Sequence, residues 1–454
     1  MVSAHVLMLP FPCQGHVIPM MELSHSLVEH GIKVTFVNTE FNHARVLQAL
    51  PNKGSDLKGI NLVSIPDGLR PGEDRNDLGL LIEGFTKVMP GYLEELIREN
   101  NEKGEEKIKW LIADENMGWS FAVAKKMGVR TACFWPASAA CLTIMLLIPK
   151  LIEDRVLDEK GWPARDEVLQ IAPKMPPIHS SQLSWNEAGD PKGQPTIFKL
   201  VTDNNKNIEL AEIIVCNSFY EIESGAYTLF PKILPIGPLL PDLKFSKSLG
   251  LFWPEDTTCM KWLDKQPPKS VVYVAFGSFT IFSEAQFKEL AHGLELTGRP
   301  FLWVVRPDFT TGLSKEWVDQ FLEMNKEKGR IISWAPQQQV LAHESVACFM
   351  SHCGWNSTLE GLRNGLPFLC WPYFVDQFYN QSYICNVWRN GLKMEADESG
   401  IVSRARVRDK VEELIANEEI ARRVQELKEL AWKNLSEGGT SCENLKNFVN
   451  LMRE

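Results

Sequence analysis

The stretch "MSHCGWNSTLEG" (350–361) gathers His352, Asn356, Ser357 and Glu360 between an apolar run of strand length and a pattern of helical period. A strand ending near Ser351 and a helix beginning near Ser357 would put these side chains at a helix N-terminus. Such an end carries unsatisfied N–H groups and partial positive charge, and it binds phosphate. Gly354 permits close approach of the backbone, and His352, Asn356 and Ser357 can donate to phosphate oxygens. A second reading stays open: Ser357 with Glu360 three residues on is a capping box, which ends a helix without binding anything. Glu360 also bears on the first reading. A carboxylate repels phosphate but accepts well from a ribose diol, as a nucleotide laid over the first helical turn would require.

Other strand ends carry matching chemistry. "IISWAPQ" puts Trp334 and Gln337 after a strand, a flat ring for a base and an amide for a sugar hydroxyl. "FLCWPYFVDQ" ends in Asp376 and Gln377, suited to a polyol, and "AFGSFT" puts Gly277 and Ser278 where a phosphate could be held. In the first half, "LPFPCQGHVIPMMEL" places His16 after the first strand, and "KWLIADENMG" places Asp114 at the end of a later one. Two parallel strands of one sheet would bring both to the same rim, where an Asp orienting an imidazole makes a general base. Taken alone, His16 reads first as a helix-capping residue.

These residues need a scaffold that brings strand ends together. Apolar runs at 5–11, 33–39, 61–66, 110–114, 131–136 and 212–218 alternate with amphipathic helical stretches such as 16–31, closed by Gly31. Strands apolar on both faces argue for parallel sheet covered by helices on both sides. A Pro-rich, polar stretch at 233–268 reads as a linker, after which runs at 270–278, 301–306, 330–334, 347–352, 367–372 and 391–395 repeat the pattern. The expected class is α/β, with two Rossmann-like doubly wound halves facing across a cleft. The expected boundaries are 1–240, a linker at 241–255, a second domain at 256–430 and a final helix at 431–454 that returns to the first domain. Ligands of such sheets lie beyond the carboxyl ends of the strands.

Composition narrows the class. A chain of 454 residues with formal net charge −10 is a poor nucleic-acid or anionic-membrane binder. Ten Cys without a C-x-x-C pair are expected to be reduced and buried in the cytoplasm. Cys348, His352 and Cys353 have no second half to complete a zinc site. The uncharged segment 131–149 reads as a strand and a buried helix rather than a membrane span, because Pro136 interrupts it.

The segment "WAPQQQVLAHESVACFMSHCGWNSTLEGLRNGLPFLCWPYFVDQ" (334–377) resembles the 44-residue signature, the PSPG motif, of plant family 1 UDP-sugar-dependent glycosyltransferases. The resemblance implies the GT-B fold and a UDP-sugar donor. By position it implies that Trp334 stacks on uracil and the Ala335 backbone pairs with its edge. Gln337 and Glu360 would hold the ribose, and His352, Asn356, Ser357 and Ser278 the diphosphate. Trp355, Asp376 and Gln377 would address the sugar, and Gln at the last position goes with glucose. It also implies a catalytic His with a supporting Asp, matched by His16 and Asp114.

The expected reaction is inverting transfer of a sugar, glucose first, to a small hydrophobic acceptor such as a phenolic, flavonoid or terpenoid, giving a β-glycoside. Trp119, Phe121, Phe134, Trp135, Trp185 and Phe374 are candidates for the acceptor pocket. No Asp-x-Asp occurs, so no metal and no resident cofactor are expected, and a monomer without membrane insertion or nucleic acid is. The alternative is a non-catalytic protein binding a UDP-sugar or a small molecule. An oxidoreductase is weakened by the lack of G-x-G-x-x-G in the first turn of either half. A secreted enzyme is weakened because Asn356-Ser357-Thr358 is a glycosylation sequon inside the proposed donor site.

Overall fold

The computed structural model describes residues 4–49, 59–103, 106–239, 250–306 and 314–454. The chain divides into two compact units, one of residues 1–254 with 434–454 and the other of 255–433. The expected linker at 241–255 lies largely outside the described residues.

The first unit is built on seven strands: β1 (His5–Leu9), β2 (Lys33–Thr39), β3 (Ile60–Ile65), β4 (Ile108–Asp114), β5 (Arg130–Trp135), β8 (Ile213–Cys216) and β9 (Ile233–Pro235). A two-residue hairpin, β6 (Val168–Leu169) with β7 (Ile178–His179), stands apart from this sheet. The order is β3-β2-β1-β4-β5-β8-β9, and every pairing is parallel. Parallel neighbours need crossovers, which the helices Gln14–Glu29, Leu78–Lys103 and Trp119–Lys126 supply. Val6, Met8, Val34, Phe36, Trp110, Ile112 and Phe134 fill the core on one face of the sheet, with Val17, Met20, Leu23 and Leu27 of the first helix above them. The last helix, Thr440–Arg453, adds Phe448, Val449 and Met452 to the same core, and Asn444 donates to the Pro235 carbonyl at 2.9 Å.

The second unit has six parallel strands: β10 (Val271–Ala275), β11 (Phe301–Val304), β12 (Gly329–Ile332), β13 (Val346–Ser351), β14 (Phe368–Cys370) and β15 (Gly391–Lys393). Their order is β12-β11-β10-β13-β14-β15. Both units therefore share one topology: three strands run outward to one side, and the fourth lies on the other side of the first. The carboxyl ends of the first and fourth strands flank the crevice where such sheets hold ligands.

One expectation needs correction. The stretch 233–268 is not all linker. Ile233–Pro235 is a strand, and Thr258–Leu263 is a helix. Proline is tolerated there because β9 is an edge strand, whose missing N–H costs no ladder bond. The segment 131–149 forms β5 and the helix Ala139–Leu146, and no helix among the described residues is long and apolar enough to cross a membrane.

Candidate functional site

In the first unit β1 and β4 are neighbours, with Leu9 beside Ala113. The chain leaves β1 through Phe11–Cys13 and enters the helix Gln14–Glu29, so His16 sits in its first turn. Asp114 is the last residue of β4. His16 Nδ1 donates to Asp114 Oδ2 at 2.7 Å, and Asp114 Oδ1 accepts from the Asn116 N–H at 2.9 Å. With both oxygens engaged and no exposure, the carboxylate is fixed and in turn fixes the ring. Nδ1 carries the proton in this arrangement, which leaves Nε2 as the basic nitrogen. His16 keeps 23% of its side chain exposed and packs against Phe11, ring centroids 5.2 Å apart. A buried, oriented carboxylate behind a partly exposed imidazole is the arrangement of a general base.

Glu115 follows, fully buried, with no hydrogen bond to either carboxyl oxygen among the described residues. Burial first and the Asp114 charge second push its pKa up to about 8, so it is a neutral acid at neutral pH. The motif reading passed over it because its burial comes from tertiary packing.

In the second unit Ala275 of β10 pairs with Ser351 of β13, so the turns after these strands leave the sheet side by side. The His352 ring lies between two glycines: a Cβ at Gly277 or at Gly354 would fall 2.4 Å from its Nε2. Only glycine fits at either place, and Gly277 also holds φ +68. Arg306, 3% exposed just beyond β11, donates to the carbonyls of Gly277 and Thr280 and brings its charge to this turn. Burial first and Arg306 second push His352 down to about 4. His352 is therefore a neutral hydrogen-bonding ring at neutral pH and not a cation.

Cys353 takes a left-handed φ of 64, and the helix Trp355–Asn364 begins with Gly354 as its N-cap. Only His352, Cys353 and Gly354 separate the end of β13 from this helix, which sets its first turn at that strand end. The capping-box alternative fails here. Ser357 lies inside the helix rather than at its cap, and it accepts from Gln337 Nε2 at 2.9 Å. The same Nε2 donates to Glu360 Oε2 at 2.6 Å, and Gln337 Oε1 accepts from the Tyr273 hydroxyl at 3.0 Å. Gln337, Ser357 and Glu360 thus form one cluster. Burial raises Glu360 to about 7 against the bonds from Gln337 and Gln338 that favour its charged form. Trp334 follows β12, half-buried, with Ala335 buried after it, and the Trp334 carbonyl accepts from the Asp256 N–H at 2.8 Å. Trp355 is 4% exposed with its indole 6.2 Å from that of Trp388, so it offers the turn a backbone N–H and not its ring.

Asp376 and Gln377 open the helix Gln377–Ser382. Gln377 Oε1 accepts from the N–H groups of Tyr373 and Phe374 at 2.9 and 3.0 Å, which holds the loop before it. Val375 lies in that loop at φ 44, a conformation β-branched residues avoid. Phe374 stacks on Phe279, centroids 5.6 Å apart, which joins this loop to the one carrying Ser278. Of the other aromatic candidates, Phe121 and Phe134 are fully buried in packed core, and Trp185 is 1% exposed with its N–H on the Gly161 carbonyl. None of these three has a face left for a ligand. Trp135 is buried with its N–H on Ser138, and Trp119 alone of the first-unit candidates is half-buried. No group of three or more His, Cys, Asp or Glu among the described residues is arranged to hold a metal.

This geometry has relatives. Residues 213–432 match the family model described as UDP-glucoronosyl and UDP-glucosyl transferase. The chain is 43% identical to UDP-glycosyltransferase 83A1 of Arabidopsis thaliana, over 99% of this chain and 97% of that one. The chain is a plant family 1 UDP-glycosyltransferase. It is also 33% identical to 7-deoxyloganetin glucosyltransferase of Catharanthus roseus, over 99% and 96% of the two chains. Among solved structures it is similar to Os79 from O. sativa in complex with UDP, with TM-score 0.81 and 28% identity over 98% of this chain and 100% of that one. A UDP-glucosyltransferase from Polygonum tinctorium capable of glucosylating indoxyl, in complex with 3,4-dichloroaniline, gives TM-score 0.82 and 28% identity over 100% and 99%. The fold is GT-B, and the enzyme uses a UDP-sugar as donor and a small molecule as acceptor.

Proposed function

We propose that this glycosyltransferase moves glucose from UDP-glucose to a nucleophilic group, such as a hydroxyl, of a small hydrophobic acceptor with inversion at the anomeric carbon. The observation that carries the reading is the 2.7 Å bond from His16 to a fully buried Asp114 at neighbouring strand ends. His16 Nε2 takes the proton of the acceptor hydroxyl as its oxygen attacks the anomeric carbon, and Asp114 stabilises the imidazolium that forms. The bond to UDP breaks as the new one forms, so an α-linked donor yields a β-glycoside. The presence of this dyad favours catalysis over a protein that only binds.

In the donor site Trp334 stacks on uracil, the Ala335 backbone meets its edge, and Gln337 with Glu360 holds the ribose. Ser278, His352, Asn356, Ser357 and the N–H groups after Gly354 take the diphosphate, and Asp376 with Gln377 takes the sugar. The charge of the leaving diphosphate falls on fixed donors at a helix N-terminus, aided by nearby Arg306. No Asp-x-Asp offers a metal ligand pair, so activity should persist in excess chelator; loss restored only by a divalent cation would contradict this. Ten cysteines, none in a disulfide, accord with a reducing compartment such as the cytosol. Glucose and a small aromatic or similar acceptor are supported by two relatives, a 7-deoxyloganetin glucosyltransferase and a UDP-glucosyltransferase in complex with 3,4-dichloroaniline. The test is a panel of phenols, flavonoids and terpenoid alcohols incubated with UDP-glucose and read by mass spectrometry. Mass gains of one hexose support the reading, and none across the panel with UDP bound tightly supports the binding protein.

A further inference from the structure

Asn380 lies beyond the last residue of the signature and was not among the candidate site residues. It is fully buried on the helix Gln377–Ser382. Its Nδ2 donates to Asp376 Oδ2 at 2.8 Å and to the Cys353 carbonyl at 3.0 Å. The orientation is unambiguous, because a flipped amide would set its own oxygen against two acceptors. Cys353 is the left-handed residue of the turn between β13 and the helix Trp355–Asn364. One amide therefore ties the turn assigned to the diphosphate to the carboxylate assigned to the sugar. These groups stand on opposite sides of the bond that breaks.

We propose that Asn380 is a positioning residue for the donor: it fixes the Asp376 carboxylate relative to the diphosphate turn, and through it the sugar relative to its leaving group. The inference rests on the donor-site reading above. Its bond to Asp376 is charge-assisted, and small misplacement of a reacting centre is costly. UDP lacks the sugar, so its affinity should not depend on this link.

The experiment is a double-mutant cycle on the full chain with Asn380→Ala, Asp376→Ala and the pair, joined by Asn380→Asp. Readouts are kcat with UDP-glucose, its ratio to kcat with UDP-galactose, the Kd of UDP, and thermal melting. Asn380→Ala should lower kcat by about tenfold and shrink the donor ratio while changing the Kd of UDP less than about threefold. The double variant should be no slower than Asp376→Ala, because the two act as one unit. Asn380→Asp keeps the shape but sets a second carboxylate against Asp376, so it should transfer more slowly than Asn380→Ala. A residue that only fills space would give the opposite order, milder for Asp than for Ala, and that order would overturn the inference. Additive losses in the cycle would overturn it as well. Unchanged kcat and donor ratio in Asp376→Ala would overturn the donor-site reading itself, and the inference with it. If Asn380→Ala does not fold, Asn380→Ser, which keeps a donor for one of the two acceptors, takes its place with the same expected signs.

Discussion

His16 lies beyond the first strand of its sheet and His352 beyond the fourth strand of the other, yet their surroundings are opposite in charge. Each follows a strand at the crevice between the first and fourth strands of a sheet with the same order. His16 faces a buried carboxylate, Asp114, which accepts its Nδ1 proton at 2.7 Å. Burial, and after it the buried guanidinium of Arg306, hold His352 neutral down to about pH 4. The fold supplies the position, and the neighbour supplies the chemistry. One ring is equipped to take a proton, the other to hydrogen-bond an anion without changing charge.

Removing His16 should have the largest effect. His16→Ala should cost ~10²–10⁴-fold in kcat with an alcohol acceptor, the usual loss of a general base. An acidic phenol, already partly ionised, should suffer less. UDP affinity should stay near normal, because the residues assigned to UDP belong to the second unit. Near-normal turnover of the alcohol by a folded, UDP-binding variant would return His16 to the role of a helix cap.

Glu115 sharpens the contrast between buried acids. Both oxygens of Asp114 accept hydrogen bonds, whereas Glu115 beside it is buried with no hydrogen bond to its carboxyl oxygens among the described residues. Its pKa rises from 4.5 to about 8 on folding. A raised folded-state pKa means that stability is full below about pH 4.5 and falls as the pH rises to 8. The unfolded chain has then released a proton that the folded chain keeps. The slope is about 1.4 kcal/mol per pH unit for one group. Glu115→Met should flatten this dependence, so the gain over the parent in urea unfolding grows from pH 5 to 8. A pH-independent difference would show that Glu115 does not titrate as described.

His352→Ala tests the other half of the comparison. Losing one hydrogen bond to an anionic group costs about 1.5–3 kcal/mol, so UDP should bind roughly tenfold more weakly or worse. Because the ring stays neutral, that loss should be constant from pH 5.5 to 8.5. A loss that vanishes at high pH would mean that His352 binds UDP as an imidazolium.

Much of this was legible in the sequence, for identifiable reasons. Parallel strands buried on both faces read as continuous apolar runs, so all but one of the main-sheet strands could be placed. The His16–Asp114 pairing followed because parallel neighbours share a rim. The edge strand Ile233–Pro235 was hidden by prolines that only an edge tolerates. Phe121 and Phe134 misled because an aromatic on a core face and one on a pocket wall have the same spacing. Ser357 suggested a cap, but the helix starts at Trp355 and leaves it in the first turn. Arg306, Asn380 and Glu115 left no signal, since each gains its role from groups that only the folded chain brings close.

The smallest effect concerns a second pair of acids, in the second unit. Glu255 stands one residue before Asp256, whose N–H is bound to the Trp334 carbonyl. Its pKa is raised to about 7 by burial and then by the charge of Glu360, itself near 7. Around them lie Tyr273 on β10, Cys259 and Asp256 beside Glu255, and Arg363 one turn after Glu360, with Arg330 of β12 near Cys259. A ribose diol donates its hydrogens, so it favours the ionised form of Glu360. Donor affinity should therefore rise, by a few-fold, as pH climbs from 5.5 to 7.5. UDP-glucose is the suitable ligand, because its diphosphate diester does not titrate in that range. Glu255→Gln removes the competing charge and should let Glu360 ionise earlier, which moves the midpoint of the rise to lower pH. Glu360→Gln should abolish the rise. A profile unmoved by Glu255→Gln but lost in Glu360→Gln would leave Glu360 as the ribose acceptor and remove Glu255 from its titration. The titration of Glu360 would then be set by burial against its bonds from Gln337 and Gln338 and the charge of Arg363.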